Sequence, residues 1–173
     1  MPPDRLRYPA ELDDLLLYRV GRLLATGGNM VIRLCEGRFG ITRREWRVLA
    51  RLALEPDLLS SQLAERIRLD RARTSRAVTS LAAKNLLRRQ TGQADRRQAR
   101  LALTPQGQAL YEELFPLISQ INQGLLAPLT ADDVRRLDGA LDVLQQQAER
   151  MLQQAELPKA DRRRGGRMRR AMG

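Results

Sequence analysis

The spacing of apolar residues changes within the segment 60–103, and this change limits the folds that the chain can adopt. Up to Leu86, apolar residues recur every three or four positions, which is the spacing of an amphipathic helix. From Leu86 to Thr91 and from Gln98 to Leu103 they alternate, which is the spacing of a half-buried strand. We therefore expect helices followed by a short two-stranded ribbon.

The helical part divides around a three-residue break, Arg68-Leu69-Asp70. Ser60 or Ser61 can cap the short helix before the break, and Asp70 can cap the helix after it, which is expected to run to about Leu86. Two short helices around a tight break predict a helix-turn-helix. The residues of the second helix expected to face inward are Ala77, Val78, Leu81 and Ala82.

The ribbon follows Asn85, a residue type that tolerates the left-handed backbone conformation common at helix ends. Because strand residues alternate between two faces, one set should face the core and the other the solvent. We expect Ala99, Leu101 and Leu103 to face inward, and Gln98, Arg100 and Ala102 to face outward.

Two helices precede this segment. A long one is expected from about Glu11 to Glu36, with Gly27-Gly28 marking a bend or a close helix contact. The pattern Thr42-x-x-Glu45 is a capping box for the next helix, which should end near Glu55-Pro56 because proline cannot continue it.

Two helices follow the ribbon, starting at Thr104-Pro105 and at Thr130-x-x-Asp133. Apolar residues of the last helix keep one narrow seam over several turns, as in a coiled coil. One interpretation is that this seam packs against the fifth helix of the same chain. The first, fifth and sixth helices carry more apolar surface than a small winged core can cover, however, so we expect a homodimer. The seam residues are Val134, Leu137, Leu141, Leu144, Ala148 and Met151.

Composition narrows the class of protein. The chain of 173 residues is 43% hydrophobic but only 3% aromatic, which favours a mainly helical fold. We expect an N-terminal arm at 1–10, a single domain at 11–157 and a basic, disordered tail at 158–173. Within the domain, dimerisation helices at about 11–36 and 105–155 would flank a winged helix-turn-helix at about 42–104.

The sequence contains no histidine and a single cysteine, Cys35. A Cys/His zinc site, an intramolecular disulfide and a histidine general base are therefore all excluded. Glycine-rich phosphate-binding motifs are also missing, so we expect no enzymatic activity, cofactor or metal. The N-terminus has no apolar run long enough to span a bilayer, and we expect a cytoplasmic protein without membrane contacts.

The net charge of +11 is concentrated rather than spread over the chain. The segment 70–100 holds nine Lys or Arg residues against two Asp, a local charge of +7, and the tail 159–173 holds seven against one, or +6. Because the charges of these two segments add to more than the net charge of the whole chain, the rest of the chain is net negative. A concentrated basic charge is the pattern of a nucleic-acid-binding surface.

Two stretches, "LSSQLAERIRLDRARTSRAVTSLAAKNLLRRQ" and "ADRRQARLALTPQG", resemble the MarR (multiple antibiotic resistance regulator) family of winged-helix transcription factors. They are similar to the family's recognition helix, to its wing with Asp-x-Arg at the tip and to its Leu-Thr-x-x-Gly exit. Asn85 stands where members usually have glycine, and the basic tail lies outside the family pattern. The resemblance implies a dimeric regulator of transcription that binds double-stranded DNA.

Charged and polar residues of the recognition helix and wing are the candidate DNA contacts. Arginine can bridge O6 and N7 of guanine in the major groove, and an arginine at a ribbon tip can enter the minor groove. Asp95 can hold the Arg97 guanidinium by an ion pair, or pair with Arg96 and cap the turn. By resemblance, Asp95 and Arg97 match the family's Asp-x-Arg, so we expect Arg97 to be the inserted side chain and Arg96 to contact a phosphate. The full candidate set is Ser60, Ser61, Arg71, Arg73, Thr74, Ser75, Arg76, Asp95, Arg96 and Arg97.

Two sites for regulation are suggested. Many relatives bind small aromatic acids between the dimerisation helices and the DNA-binding lobe, and the resemblance implies an effector pocket here. Each candidate residue has the alternative role of a core or surface residue. Cys35 is either a redox-sensing thiol with a pKa lowered by nearby arginines or an inert buried thiol. The effector candidates are Tyr18, Arg19, Arg43, Trp46 and Tyr111.

These patterns predict a homodimeric repressor that binds a pseudo-palindromic operator and is released by an aromatic acid-like effector. Two other functions stay open at this point. The chain could be a sequence-tolerant architectural DNA-binding protein in which the basic tail dominates, or an adaptor that has kept the fold without binding DNA. The arginines gathered on one lobe argue against the adaptor.

Overall fold

The computed structural model describes residues 4–90 and 99–156 of the chain. Six α-helices and a small antiparallel sheet follow a short 3-10 helix at Leu12–Asp14, in agreement with the predicted fold class. In chain order the elements are α1 (Leu16–Phe39), α2 (Arg43–Leu54), β1 (Leu58–Leu59), α3 (Ser60–Arg66), α4 (Arg71–Ala83), β2 (Leu87–Gln90), β3 (Arg100–Leu103), α5 (Pro105–Leu126) and α6 (Ala131–Gln154).

The sheet has the strand order β1-β3-β2. The predicted ribbon is formed by β2 and β3, which pair from Leu87↔Leu103 to Gln90↔Arg100. The strand β1, which pairs Leu58 with Leu101, was not predicted. A two-residue strand has too few positions to show alternation, so only its partner reveals it.

Buried leucines from five elements meet in one core. Leu49 of α2, Leu63 of α3, Leu81 of α4, Leu101 of β3 and Leu114 of α5 are each at most 1% exposed. Full burial of such a side chain stabilises the fold by about 1.5–3 kcal/mol relative to leaving it in water. This core fixes α3 and α4 against the sheet and α5.

Four predicted helix starts are confirmed. The side chains of Thr42, Asp70, Thr104 and Thr130 each accept a hydrogen bond from the backbone N–H three residues later. At Thr42 the capping box is complete, because its own N–H donates to the Glu45 carboxylate at 2.6 Å. These contacts satisfy backbone donors that the first helical turn leaves free.

Two other predicted boundaries were wrong. The first helix begins at Leu16 rather than Glu11, because Leu15 has an extended backbone with ψ 123°, and it ends at Phe39, where Gly40 turns left-handed at φ 62°. Neither Ser60 nor Ser61 caps α3. The chain enters α3 directly from β1, so Leu59 is the N-cap and its N–H donates to the Gln62 side chain at 2.9 Å.

The end of α4 also differs from the prediction. The helix stops at Ala83 rather than Leu86, although Asn85 does adopt the expected left-handed conformation, at φ 56°. The turn closes with the N–H of Leu86 donating to the carbonyl of Leu81 at 2.9 Å. Ala102 was expected to face outward but is buried, because β3 is the middle strand and its neighbours shield a small methyl group.

Gly27 allows α1 and α5 to approach closely. A Cβ at this position would lie 3.3 Å from a methyl carbon of Leu125, and α1 continues through both Gly27 and Gly28. The close helix contact is therefore the correct one of the two expectations.

The chain divides into two compact units, Met1–Ala127 and Pro128–Gly173. In the second unit the structure describes residues 128–156, and none of the residues of α6 is buried. The predicted domain boundaries stay predictions, and the tail from 158 onward lies outside the described residues.

Candidate nucleic-acid interface

The side chains of α4 form a buried and an exposed set, according to their position around the helix axis. Successive residues turn by about 100° around a helix axis, so the buried Thr74, Val78 and Leu81 define one side and Arg76 and Thr79 the opposite, outer side. Arg76 thus lies at the point of α4 farthest from the core.

Four predicted α4 contacts are exposed and one is not. Arg71, Arg73, Ser75 and Arg76 reach the surface. Thr74 is fully buried, and its hydroxyl donates to the carbonyl of Asp70 at 3.0 Å. Its position on the inner side of the helix removes Thr74 from the set of candidate DNA contacts.

One flank of α4 borders a cleft of about 450 Å³ that we call the α3–β3 cleft. It brings together three predicted contacts, Ser60, Ser61 and Ser75. It also contains Arg89 of β2, whose guanidinium donates to the hydroxyl of Thr79 at 2.9 Å. Arg89 is one of the basic residues of the segment 70–100, and its sequence position indicated no further role. The residues that line the α3–β3 cleft are Leu59, Ser60, Ser61, Ser75, Val78, Arg89, Ala99 and Leu101.

The other flank of α4 borders a smaller cleft of about 200 Å³, the α2–α4 cleft. Arg73 is held there by the N-cap residue Asp70, whose carboxylate accepts from the Arg73 backbone N–H at 2.8 Å and lies 3.1 Å from its Nε. Arg44, absent from the predicted set, lines the same cleft from the first turn of α2. The residues that line the α2–α4 cleft are Thr42, Arg44, Glu45, Arg73, Arg76, Ala77 and Ser80.

Glu45 lies at the base of this cleft with its side chain 3% exposed. Burial alone would raise the pKa of its carboxyl, but hydrogen bonds from Ser80, Thr42 and Lys84, together with the lysine charge, hold that pKa below its ordinary value. Lys84 also donates to the carbonyl of Gly40 at 2.8 Å. This lysine therefore joins the ends of α1 and α4 to the start of α2, a role that its sequence position did not reveal.

The three residues predicted for the wing tip, Asp95, Arg96 and Arg97, lie outside the described residues. The paired strands on either side of it, β2 and β3, belong to the same sheet that contacts α2 and α4. The predicted roles of the three tip residues stay predictions.

Cys35 is fully buried in the core. Burial, and then the nearby charge of Glu36, raises the pKa of its thiol to about 11. Since the thiolate is the reactive form, this environment fits the inert buried thiol and not the redox sensor.

The five effector candidates occupy different surroundings. Trp46 and Tyr111 stack at 5.8 Å between ring centroids, so each ring packs against the other. Tyr18 lies beside the Arg22 guanidinium, at 6.0 Å, and Arg19 borders a cleft with Arg22. The structure thus brings two of the five together, and a single pocket containing Tyr18, Arg19, Arg43, Trp46 and Tyr111 stays a prediction.

Comparison with known proteins supports the predicted resemblance. A sequence model described as the MarR family matches residues 39–98, the part of the chain that contains α2, the helix-turn-helix and the start of the wing. Over these residues the chain is similar to the MarR family. Solved structures that resemble the chain are described as transcriptional regulators, which supports the prediction of a DNA-binding regulator and not an enzyme.

Solved structures of several transcriptional regulators are similar to this chain over most of their length. The MarR family transcriptional regulator SPO1453 from Silicibacter pomeroyi DSS-3 is 28% identical, with a TM-score of 0.68, and the match covers 79% of this chain and 97% of that one. A probable transcriptional regulator from Pseudomonas aeruginosa is 27% identical, with a TM-score of 0.65 and coverage of 78% and 99%. The PcaV regulator from Streptomyces coelicolor, solved with its natural ligand, is 26% identical, with a TM-score of 0.64 and coverage of 81% and 96%.

Among the described helices of this chain, none combines the length and apolar character needed to cross a membrane.

Proposed function

We propose that this chain is a homodimeric repressor of the MarR family that places one α4 in each half-site of a pseudo-palindromic operator, in the cytoplasm. The observation that carries the proposal is the outer side of α4, where Arg76 is exposed and the two flanks of the helix each border a cleft. A helix of this kind fits the DNA major groove, and two-fold symmetry of a dimer would match the symmetry of the operator.

Within this proposal the wing reaches the adjacent minor groove. Arg97 would insert there, Asp95 would hold its guanidinium and Arg96 would contact a phosphate, as the resemblance of the segment 94–97 implies. A narrow minor groove favours an inserted arginine because the negative potential of the phosphates is focused there.

Exposed apolar side chains support the dimer. In α1, Leu17 is 83% exposed and Leu23 is 63% exposed; in α6, Met151 is 60% exposed and Leu152 is 76% exposed. Large apolar side chains exposed in this way on a folded chain favour an interface on each of the two helices. We assign it to a second copy because the sixth-helix seam has coiled-coil spacing.

An effector would release the operator by changing the distance between the two α4 helices, since both half-sites must be engaged at once. The support is the ligand-bound state of PcaV, whose structure contains its natural ligand. We propose a small aromatic acid as the effector class for this chain.

The test is a titration against the intergenic DNA beside the gene, with scrambled competitor and at several salt concentrations. We expect binding that survives the competitor, with loss of affinity for Arg76→Ala. The matched control is Arg51→Ala, which removes the same charge from the other end of α2, where Arg51 pairs with Glu55. Binding that the competitor abolishes would contradict the repressor.

A chain ending at residue 158 separates the repressor from the architectural protein. The repressor keeps its operator preference without the basic tail, whereas an architectural protein loses most of its affinity because non-specific binding comes from charge. A shortened chain that no longer prefers the operator would contradict our proposal.

A further inference from the structure

The α2–α4 cleft contains positive charge that no contact within the fold uses. Among the described residues, neither Arg44 nor Arg76 has a hydrogen bond or an ion pair, and both line the cleft with Arg73. Guanidinium groups are well suited to phosphate, because they present several donors in a planar fork. The cleft therefore has free donors of the right type for a phosphate group.

The acidic groups near the cleft are already neutralised. The Glu45 carboxylate lies 3.0 Å from the ammonium of Lys84, and the Asp70 carboxylate lies 3.1 Å from Nε of Arg73. Among the described residues, the carboxylates of Glu45 and Asp70 thus have cationic partners other than Arg44 and Arg76. The guanidinium groups of Arg44 and Arg76 stay available to an anion that enters the cleft.

The cleft lies on the flank of α4 opposite the α3–β3 cleft. Arg73 and Ser80 line one flank of the helix, and Ser75 and Val78 line the other. A helix about 10–12 Å across fills a major groove about 12 Å wide. The two DNA backbones that border the groove then pass along the two flanks of α4, one beside each cleft.

We propose that the α2–α4 cleft binds a backbone phosphate of the DNA strand that passes α2, with Arg44 as its principal donor and Arg73 beside it. This inference rests on the proposed insertion of α4 into the major groove. It adds a contact from α2, outside the helix-turn-helix and the wing, on the strand opposite the one that Ser60 and Ser61 would meet in the α3–β3 cleft.

The experiment compares operator affinity and its salt dependence for wild type, Arg44→Ala, Arg44→Lys and the control Arg51→Ala. For Arg44→Ala we expect about a tenfold loss of affinity and a salt slope smaller by about one. The loss should be similar for operator and scrambled DNA, because a phosphate contact carries no base information. Arg44→Lys should keep the salt slope, and Arg51→Ala should match wild type.

Ethylation of single backbone phosphates shows which DNA strand Arg44 contacts, because ethylating a contacted phosphate weakens binding. We expect Arg44→Ala to lose interference at one phosphate in each half-site, on the strand opposite the one affected by Ser60→Ala. If Arg44→Ala loses interference on the same strand as Ser60→Ala, or on neither strand, the assignment of Arg44 is overturned. Thermal unfolding of Arg44→Ala should match wild type, since the exposed side chain makes no contact that stabilises the fold.

The outcomes separate the inference from the proposed function. If wild type shows no binding that resists competitor, both fail. If wild type binds and Arg44→Ala keeps its affinity and its salt slope, only the phosphate contact fails. Inorganic phosphate at constant ionic strength tests for a free-anion site: saturable inhibition of DNA binding that Arg44→Ala abolishes would overturn the DNA phosphate in favour of a soluble anion.

Discussion

Lys84 and Glu45 form an ion pair that joins the end of α4 to the first turn of α2, with Nζ 3.0 Å from one carboxylate oxygen and 3.1 Å from the other. The carboxylate is buried, whereas 36% of the lysine side chain is exposed. A buried charge that loses its partner keeps its desolvation cost, so this pair contributes more than a surface pair does.

Replacing Lys84 by methionine should therefore lower the free energy of unfolding. We expect a loss of about 1–3 kcal/mol, because Glu45 keeps its hydrogen bonds from Thr42 and Ser80 but loses the ammonium group. Urea denaturation of wild type and variant measures this change in the free energy of unfolding. The matched control is Arg66→Met, whose exposed partner Glu55 lies 3.0 Å away and whose loss should cost less than about 1 kcal/mol. Equal losses in both variants would contradict the special role of Lys84.

The same pair predicts a pH dependence. The pKa of Glu45 is lower in the folded protein than in the unfolded chain, so its contribution to stability is complete above the unfolded pKa and is lost as the pH falls through the folded one. Glu45→Gln removes this contribution. Denaturation followed from neutral pH to below about pH 4 should show a steeper decline for wild type than for the variant, and parallel curves would contradict the lowered pKa.

Local sequence signals predicted much of the fold. Thr42, Asp70 and Thr104 cap helices through the third residue beyond them, and Asn85 turns the chain by its own backbone tolerance, so these features are readable over a few positions. The burial of Thr74 depends on the phase of α4 against its neighbours. The position of Val78 around the helix axis correctly predicted that it is buried. The same geometry places Thr74 on the inner side of α4, although it was predicted as a DNA contact.

Contacts between distant residues were the part that the sequence did not predict. β1 exists because Leu58 meets Leu101, which is 43 positions away, and the Lys84–Glu45 pair spans 39 positions. Arg44 is adjacent to a capping box and reads as an ordinary exposed helix charge. Only the packing of α2 against α4 places it beside Arg73.

Gly107 predicts a strong effect of a single methyl group. A Cβ at this position would lie 1.9 Å from the carbonyl oxygen of Leu86, a backbone atom that cannot rotate away. Gly107→Ala should therefore lower the free energy of unfolding by at least about 2 kcal/mol. In the same helix, a Cβ at Gly124 meets nothing within 4 Å, so Gly124→Ala should raise it by about 0.5–1 kcal/mol. Thermal or urea unfolding checks both, and a neutral Gly107→Ala would contradict the close approach.

Cys35 should react slowly with thiol reagents in the native protein. Burial, with a smaller effect of Glu36, raises the pKa of its thiol to about 11, so little thiolate is present at neutral pH and the sulfur is covered. Labelling with a disulfide reagent should be slow under native conditions and fast in urea. Operator binding should be unchanged by mild peroxide, and rapid native labelling with loss of binding would restore the redox-sensing alternative.

Arg97→Ala tests the role of the wing in binding. If this arginine enters the minor groove, its loss should weaken specific binding by about 1–3 kcal/mol, and the largest effect should be on operators with A·T-rich flanks, where the groove is narrow. Dimerisation, measured by sedimentation, should be unchanged, because the exposed apolar residues assigned to the dimer are on α1 and α6. Asp95→Ala should give a smaller loss of the same kind, since it would free the guanidinium without removing it. Unaltered operator affinity for Arg97→Ala would contradict the wing assignment while leaving the role of α4 intact.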